Sequence, residues 1–176
     1  CAIGGTVPPP VPSPASVVVF AADHGVHAEG VSPWPQEVTA QMVANFCAGG
    51  AAINAIAANS GADVTVVNAG VAGELLPVDP GPAGVGLVDR PIARGTANLR
   101  TQAAMSRDDA ARSVLLGHRV ASELVADGRR CLVPGDMGIA NTTASAALIA
   151  VAVGADAEAV TGRGTGIDDD TLELKR

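Results

Sequence analysis

Three short runs of continuous apolar residues stand out along the chain. They are Val17 to Ala22 (VVVFAA), Val64 to Asn68 (VTVVN) and Cys131 to Pro134 (CLVP). Runs that lack alternation of apolar and polar positions are typical of strands covered on both faces, as in a parallel sheet. The pattern therefore predicts three strands, each ending at the last residue of its run.

Two of the segments that connect these runs show the periodicity of a helix. Gln36 to Asn59 has apolar residues at helical spacing with a break at Gly49-Gly50, which predicts two consecutive helices. Ser106, with Asp109 three residues later, is typical of a helix start, and this helix should end near Gly128.

A further helix is predicted from about Thr142 to Val153, where Gly154 stops it. Residues 70–104, which include Pro77, Pro80 and Pro82, are predicted to form a long irregular connection. The alternation of strands and helices predicts an α/β fold, a Rossmann-like, doubly wound parallel sheet flanked by helices in three α/β/α layers. Residues 1–15 are interpreted as a Pro-rich connector and residues 16–176 as the α/β core.

Composition makes the predicted core an unusual one. Apolar residues make up 48% of the 176 positions, but 34 of them are Ala and 23 are Val. Small side chains remove little apolar area from water when they are buried. Such a core needs close packing or more chain.

Charge excludes several classes of partner. The net charge is −7, with a single lysine, and no basic cluster is longer than the pair Arg129-Arg130. This balance disfavours binding to nucleic acid or to an anionic membrane. The apolar stretch from Ala144 to Ala155 is too short to span a bilayer, so we expect no membrane role.

The cysteines favour a reducing compartment. Cys1, Cys47 and Cys131 are odd in number and lack the spacing of a metal site, so reduced thiols in the cytoplasm are the simplest interpretation. Because the sequence starts with Cys1 instead of Met, inside a Pro-rich stretch, we expect the native protein to extend upstream.

Candidate chemistry lies where the predicted strands end, because ligands of open α/β sheets bind beyond the carboxyl ends of the strands. Each of the three ends carries a polar, Gly-containing turn. The three turns are Ala22-Asp23-His24-Gly25, Asn68-Ala69-Gly70 and Gly135-Asp136-Met137-Gly138. Asp, Asn and Gly also form turns for structural reasons alone, but three such turns at one edge favour a binding site.

The third turn leads into the helix that is predicted from Thr142. Backbone N–H groups, the helix dipole and the Thr hydroxyls would favour a phosphate or carboxylate there, although Asn141 or Thr142 could instead serve only as a helix cap. The glycines Gly162, Gly164 and Gly166 lie downstream of this helix, followed by Lys175. They match neither the dinucleotide nor the phosphate-loop spacing, but they allow close backbone approach to a ligand, with Lys175 as a phosphate partner.

Two further groups of residues leave alternatives open. Asp23, His24, His27 and Glu29 could serve a metal-dependent hydrolase, although ligands this close together seldom converge on one ion. Trp34 and Met42 could stack on a planar ring or could fill the core, and core packing is the simpler interpretation for Met42.

Several motifs in order carry a resemblance to a known family over some 160 residues. The motifs are Ala21 to Val26, Glu29 to Ser32, Pro35 to Val43, Gly49 to Asn54, Ala93 to Asn98, Ala104 to Ser106, Gly135 to Thr143, and Gly164 to Asp169 with Lys175. In this order they resemble the nicotinate-nucleotide:dimethylbenzimidazole phosphoribosyltransferases of cobalamin synthesis, and the chain is similar to the central portion of these enzymes.

The resemblance implies a Rossmann-type homodimer that needs no cofactor and no metal. It implies transfer of the phosphoribosyl group of nicotinate mononucleotide to 5,6-dimethylbenzimidazole, which gives α-ribazole 5′-phosphate and nicotinate. By position it places the family's nucleotide-binding carboxylate, with a catalytic role, on Asp136. It places phosphate and nicotinate contacts on Gly138, Gly164 and Lys175, and the wall that holds the base on Trp34 and Met42. Other substrate-binding candidates are Asp23, His24, Asn68, Asn141, Thr142 and Gly166.

The chain departs from the family at three points. Asp136 stands where the family usually has Glu, and Asn68 where it usually has Asp. Family members are about twice as long, and the glutamate that acts as general base on the benzimidazole lies in their C-terminal part. The alternative is therefore a non-catalytic nucleotide-binding or assembly module that keeps the phosphate turns without the base. Because the chain resembles half of a longer enzyme, we expect exposed apolar surface and oligomerisation, with further helices or a partner subunit covering the core of small residues.

Overall fold

The computed structural model describes residues 4–75, 81 and 84–176 of the chain. Four strands form one sheet: β1 (Ala15–Ala22), β2 (Asp63–Gly70), β3 (Val85–Asp89) and β4 (Cys131–Met137). All three pairings are parallel, and the strand order is β3-β2-β1-β4. The sheet confirms the predicted parallel α/β fold and its three predicted strands. β1 already includes Ala15, which pairs with Cys131, whereas the division into connector and core stays a prediction.

The prediction of an irregular connection over residues 70–104 is wrong for its middle part, where β3 forms. β3 has only five residues, contains Gly86 and exposes Leu87. It pairs only with β2, at one edge of the sheet. An edge strand is covered less than a central one, so β3 lacks the continuous apolar run that marks β1 and β2. Pro77, Pro80 and Pro82 lie outside the described residues.

The predicted end of the third strand at Pro134 is also wrong. β4 continues through Gly135 and Asp136 to Met137, and it pairs along this length with β1. Proline and glycine weaken a strand interior, but an edge strand tolerates them because one side of it has no ladder hydrogen bonds. Asp136 is therefore a strand residue, and the turn begins at Gly138.

Four helices agree with the predicted periodicity: α1 (Val38–Cys47), α2 (Ala52–Ser60), α3 (Arg107–Ala126) and α4 (Asn141–Val153). Two short helices, α5 (Ala157–Val160) and α6 (Asp169–Lys175), and a 3-10 helix over Gly25–Glu29 were not predicted. The Gly49-Gly50 break separates α1 from α2. The hydroxyl of Ser106 accepts a hydrogen bond from the Asp109 N–H at 3.0 Å, as a helix cap should. Gly154 ends α4 with φ of 66°.

The helices cover both faces of the sheet, which gives the predicted three layers. On one face, α1 and α2 pack through Val43, Phe46 and Ala57 against Val19 and Val66. On the other face, Leu116 and Val120 of α3 pack against Val18 and Val67. The core consists largely of Val and Ala, in agreement with the composition.

The predicted exposed apolar surface is confirmed on α4. Leu148 is 74% exposed and Val151 is 85% exposed, while only Thr143 and Ala146 of this helix are buried. An apolar helix that is exposed on several sides calls for a covering element. Oligomerisation stays a prediction.

Among the described residues, one stretch is apolar and long enough to cross a membrane by length and composition alone. It is Val38–Ser60, with 23 residues and a mean hydropathy of 1.2 in its most apolar window, and the expectation above considered only the shorter stretch from Ala144 to Ala155. In the structure Val38–Ser60 is divided into α1 and α2, and its apolar character serves the core, where Val43 and Phe46 are buried.

The strand order fixes where a ligand crevice lies. From β1 the chain adds β2 and β3 on one side, and α3 then returns it to β4 on the other side of β1. Open α/β sheets bind ligands beyond the carboxyl ends of the strands at such a reversal. The crevice is therefore expected beyond Ala22 of β1 and Met137 of β4.

Candidate functional site

Gly138 and His24 meet at the carboxyl ends of β4 and β1. A Cβ atom at Gly138 would lie 2.0 Å from the carbonyl oxygen of Ala22 and 3.1 Å from Nε2 of His24. No side chain fits at that distance, so glycine is required for the two strand ends to approach each other. This contact brings two sequence-predicted site residues together at the expected crevice.

The turn from β4 into α4 is hydrogen-bonded to a side chain of α1. The hydroxyl of Thr39, which is fully buried, accepts a hydrogen bond from the Ile139 N–H at 3.1 Å. Ala140 follows in the left-handed region with φ of 73°. A non-glycine residue rarely adopts this conformation, and such strain is concentrated at ligand sites.

The side chains after this turn do not cap α4, so the helix-cap alternative for Asn141 and Thr142 is wrong. The cap position is Ala140, which makes no side-chain cap bond. Asn141 instead donates from Nδ2 to Oδ2 of Asp136 at 2.6 Å. Because the two side chains bond to each other, the Asp136 carboxylate is oriented at the mouth of the turn.

Lys175 reaches the same turn from the last residue of α6. It is 8% exposed, and its Nζ donates to Oγ1 of Thr142 at 2.7 Å and to the Gly162 carbonyl at 3.0 Å. Gly164, with φ of 60°, passes close by: a Cβ there would lie 2.8 Å from Thr142 Oγ1 and 3.4 Å from Lys175 Nζ. The glycine cluster therefore permits the contact between α6 and the start of α4.

A cavity of about 200 Å³ lies between these groups. It contains the predicted Gly138, Asn141, Thr142 and Lys175. It also contains residues that the sequence interpretation missed, namely Ser32, Arg163 and Thr165. Arg163 donates to the Ile167 carbonyl at 2.9 Å and forms an ion pair with Asp169. Its place between Gly162 and Gly164 is the sequence feature that could have identified Arg163 as a site residue. Gly166 follows this cluster with φ of 92° and does not line the cavity.

Burial lowers the pKa of two groups at this site. Desolvation lowers the pKa of His24 below its usual range, against the opposing effect of the Asp23 and Asp136 carboxylates. Desolvation also lowers the pKa of Lys175. His24 is therefore held in the neutral form at neutral pH, as a hydrogen-bonding group without charge.

Asp23 and Asn68 lie away from this cavity, in the buried network that joins β1 to β2. One oxygen of Asp23 accepts from the Ala72 N–H at 2.8 Å, and the side chain is 1% exposed. Asn68 accepts from the N–H groups of Gly70 and Val71 at 3.1 and 2.9 Å. Both side chains thus organise backbone at the strand ends, and their role as substrate contacts stays a prediction.

Trp34 and Met42 also lie outside the walls of the 200 Å³ cavity. Trp34 is 52% exposed, and its carbonyl lies 2.9 Å from Nε2 of His27. Met42 is partly buried against the core cluster on the α1 side. Neither side chain is fully committed to the core, so each keeps surface for a ligand.

The metal-hydrolase alternative gains no support from the geometry. Within the described part of the chain, no group of three His, Cys, Asp or Glu side chains is arranged to hold a metal ion. His27 faces the Trp34 carbonyl, and Glu29 accepts from Asn98 at 2.5 Å and pairs with Arg100. Because their hydrogen-bond partners differ, the side chains of Asp23, His27 and Glu29 do not converge on one point.

Comparison with known proteins identifies the family of the chain. A family model described as phosphoribosyltransferase matches residues 1–176. The chain belongs to this phosphoribosyltransferase family. It is 54% identical over 181 residues to the nicotinate-nucleotide–dimethylbenzimidazole phosphoribosyltransferase of Salinispora tropica, covering 98% of this chain and 50% of that protein. It is 51% identical over 161 residues to the protein of the same name from Thermus thermophilus, covering 92% and 46%.

The fold of this phosphoribosyltransferase chain matches solved relatives. The crystal structure of CobT from Thermus thermophilus superposes with a TM-score of 0.90 at 49% identity, covering 99% of this chain and 50% of that one. A second crystal structure, of the phosphoribosyltransferase from the same organism, gives a TM-score of 0.82 with 92% and 46% covered. The family resemblance and the Rossmann-like fold class are confirmed, and the chain spans about half the length of the relatives it matches.

Proposed function

We propose that the protein transfers the phosphoribosyl group of nicotinate mononucleotide to 5,6-dimethylbenzimidazole. The products are α-ribazole 5′-phosphate and nicotinate, in assembly of the lower nucleotide loop of cobalamin. One observation carries the proposal: the buried ammonium of Lys175 meets the Thr142 hydroxyl at the start of α4, beside a small cavity. A cation next to a helix N-terminus is a site for a phosphate group.

The phosphate and the ribose would lie on opposite sides of the β4–α4 turn. Lys175 and Thr142 would bind the phosphate, with the backbone at Gly138 and Gly164 free to approach it closely. Arg163 adds a second cation at the same cavity. The ribose would then lie toward the Asp136 carboxylate, which is oriented by Asn141 at 2.6 Å.

Asp136 would act on the charge that develops during transfer. The bond from C1′ to the nicotinate nitrogen breaks, the bond from C1′ to the benzimidazole nitrogen forms, and the benzimidazole loses its N–H proton to a base. Positive charge grows on the ribose between these events, and a fixed carboxylate stabilises it more in the transition state than in the ground state. Neutral His24, next to Gly138, would donate or accept a hydrogen bond at the substrate without adding charge.

Trp34 and Met42 would form the wall that holds the benzimidazole. Trp34 is half exposed in the loop before α1, and Met42 lies on α1 itself. A flat aromatic ring and a polarizable thioether both bind planar rings well. Core packing is an incomplete explanation for either residue, because both keep exposed surface.

The assembly and the location of the protein are part of the same proposal. The exposed apolar residues of α4 support a homodimer. The free thiols of Cys47 and Cys131 support a reducing, cytoplasmic location. The net charge of −7 supports small-molecule substrates over nucleic acid or an anionic membrane.

Turnover with both substrates tests the proposal. The protein at its native length is incubated with nicotinate mononucleotide and dimethylbenzimidazole, and α-ribazole phosphate is measured by chromatography. We expect product from the native-length protein, reduced by about 100-fold or more in Asp136→Asn. Asp136→Glu, which restores the usual family carboxylate, should keep activity. No product from the native-length protein would refute the proposal.

The second candidate function is nucleotide binding without turnover. The Lys175 site favours it, because all residues of that site belong to this chain. The family's general base, in contrast, lies outside the matched motifs. Calorimetric titration of the chain with nicotinate mononucleotide measures it directly. Saturable binding by a chain that makes no product would support a binding module, and absence of heat at millimolar ligand would exclude it.

A further inference from the structure

A second, larger cavity lies on the opposite side of β1 from the Lys175 site. It has a volume of about 520 Å³. Its apolar walls come from the sheet, from the loop over residues 92–105 and from α3, and they include Phe20, Ile92, Met105 and Leu116. Phe20 is one of only three aromatic residues in the sequence. A cavity of this size and lining accommodates a small planar apolar molecule.

A basic cavity adjoins this apolar one. It has a volume of about 350 Å³ and shares Ile92 and Leu116 with the apolar cavity. Three arginines line it: Arg90 follows β3, and Arg112 and Arg119 lie two turns apart on one face of α3. Three guanidinium groups at one cavity are unusual in a chain of net charge −7.

The arginines are available to an anion. Arg90 pairs with Glu123 and Arg112 with Asp109, but the arginine side chains remain 46% and 49% exposed. Exposed ion pairs contribute little and are exchanged readily. Among the salt bridges of the described residues none involves Arg119. A guanidinium binds a carboxylate through two parallel hydrogen bonds.

We propose that the two adjoining cavities form one binding site for an aromatic carboxylate. The ring lies between Phe20, Met105 and Leu116, and the carboxylate lies between Arg112 and Arg119. The opposite orientation is disfavoured because Asp23 and Asp109 line the apolar cavity and would repel an anion there. This site is separate from the proposed catalytic one, and it does not depend on the phosphoribosyl transfer.

Calorimetric titration of the native-length protein with 2-naphthoate tests this site. The neutral 2-naphthamide has the same ring without the charge, and acetate has the carboxylate without the ring. We expect 2-naphthoate to bind roughly tenfold or more tightly than either probe, and its affinity to fall as salt is added. Equal binding of 2-naphthamide, or no binding of 2-naphthoate at millimolar concentration, would overturn the proposal.

Two variants on the same helix locate the charge. Arg119→Gln removes an exposed guanidinium from the basic cavity, whereas Arg107→Gln removes one from the first residue of α3, outside both cavities. Binding of 2-naphthoate should weaken roughly tenfold in Arg119→Gln and stay unchanged in Arg107→Gln. An equal effect of both substitutions would show general charge attraction and would refute the site.

A third variant tests the apolar half independently. Ala104 lines the 520 Å³ cavity, so Ala104→Leu fills part of the space that the ring should occupy. We expect weaker 2-naphthoate binding. Unchanged 2-naphthoate binding in a folded Ala104→Leu protein would contradict the placement of the ring. If Ala104→Leu fails to fold, the comparison of Arg119→Gln with Arg107→Gln still tests the proposed site.

Discussion

Asn68 donates from Nδ2 to Oδ1 of Asp89 at 2.7 Å, and this bond joins the ends of β2 and β3. An Asp at position 68, which the family resemblance leads us to expect, would place two carboxylates at this distance. The amide of Asn68 avoids that repulsion, and its Oδ1 still accepts from the N–H groups of Gly70 and Val71. The amide at position 68 is therefore matched to the carboxylate of Asp89 on β3.

Replacing Asn68 by Asp should destabilise the fold. We expect Asn68→Asp to lower the free energy of unfolding by about 1–2 kcal/mol at pH 7, because two carboxylates then face each other. The loss should fade at about pH 4, where carboxylates take up protons. Denaturant unfolding at both pH values measures it. The double variant Asn68→Asp with Asp89→Asn restores an amide–carboxylate pair, so failure to recover stability would contradict this explanation.

Replacing Gly138 by Ala should disrupt the candidate site. The new Cβ would lie 2.0 Å from the Ala22 carbonyl, so either strand end must move. We expect a loss of about 3 kcal/mol or more in unfolding free energy, and weaker binding of nicotinate mononucleotide. The matched control is Gly117→Ala in the interior of α3, where a Cβ meets nothing within 4 Å. This control should gain about 0.5–1 kcal/mol, and equal losses in both variants would argue against the close contact.

Replacing Lys175 by Met should weaken nucleotide binding. Met keeps the buried apolar stem and removes the ammonium that lies beside Thr142, so we expect roughly tenfold or greater loss of affinity for nicotinate mononucleotide in calorimetry. Arg176→Gln, at the next residue, is the control and should bind normally. Because burial lowers the pKa of Lys175, wild-type binding should weaken at a lower pH than expected of an exposed lysine. Unchanged affinity in Lys175→Met would exclude a phosphate contact at this residue.

His24 should titrate below its usual range. Burial lowers its pKa, and the nearby Asp136 carboxylate opposes that effect. Replacing Asp136 by Asn should therefore lower the pKa of His24 further, as measured from imidazole signals by NMR over a pH series. The signal of His118, on α3, should not respond to the substitution. A rise in the pKa of His24 would contradict the proposed geometry.

The same residue predicts how stability depends on pH. The unfolded chain takes up a proton on His24 near pH 6.5, whereas the folded chain takes it up only at lower pH. Protonation thus favours the unfolded state, and the contribution of His24 to stability is lost as pH falls below about 6.5. Replacing His24 by Gln should reduce this dependence in unfolding experiments between about pH 7 and 5. If His24→Gln leaves the pH dependence of the unfolding free energy unchanged, groups other than His24 cause that dependence.

The sequence predicts the central features of the fold because they depend on local chemistry. Continuous Val runs mark β1 and β2, and the cap formed by Ser106 marks α3. β3 and the end of β4 escape prediction because edge strands need less apolar character, and their pairing is set by β2 and β1. The same reason explains why Asp136 is a strand residue.

The sequence indicates where the backbone of the candidate site is closely packed, but it does not indicate the side-chain partners. The glycines at 138 and 164 lie close to Ala22 and to Thr142, and their approach to a ligand stays a prediction. The side-chain contact between Lys175 and Thr142 spans 33 residues, and local pattern contains no information on such a contact. Asp23 and His24 are neighbours in sequence, yet one lines the cavity next to α3 and the other faces Gly138. Their divergence follows from the alternation of side chains in extended backbone.

The hydrogen bond from Ile139 to Thr39 connects the two halves of the proposed site. α1 carries Met42 of the proposed base wall, and its Thr39 accepts from the N–H of the turn beside the proposed phosphate site. If the substrates bind as proposed, a ligand that shifts α1 also shifts Ile139, and occupation of one site would change the affinity of the other by an equal factor in both directions. A single buried hydroxyl would thus couple recognition of the base to retention of the nucleotide.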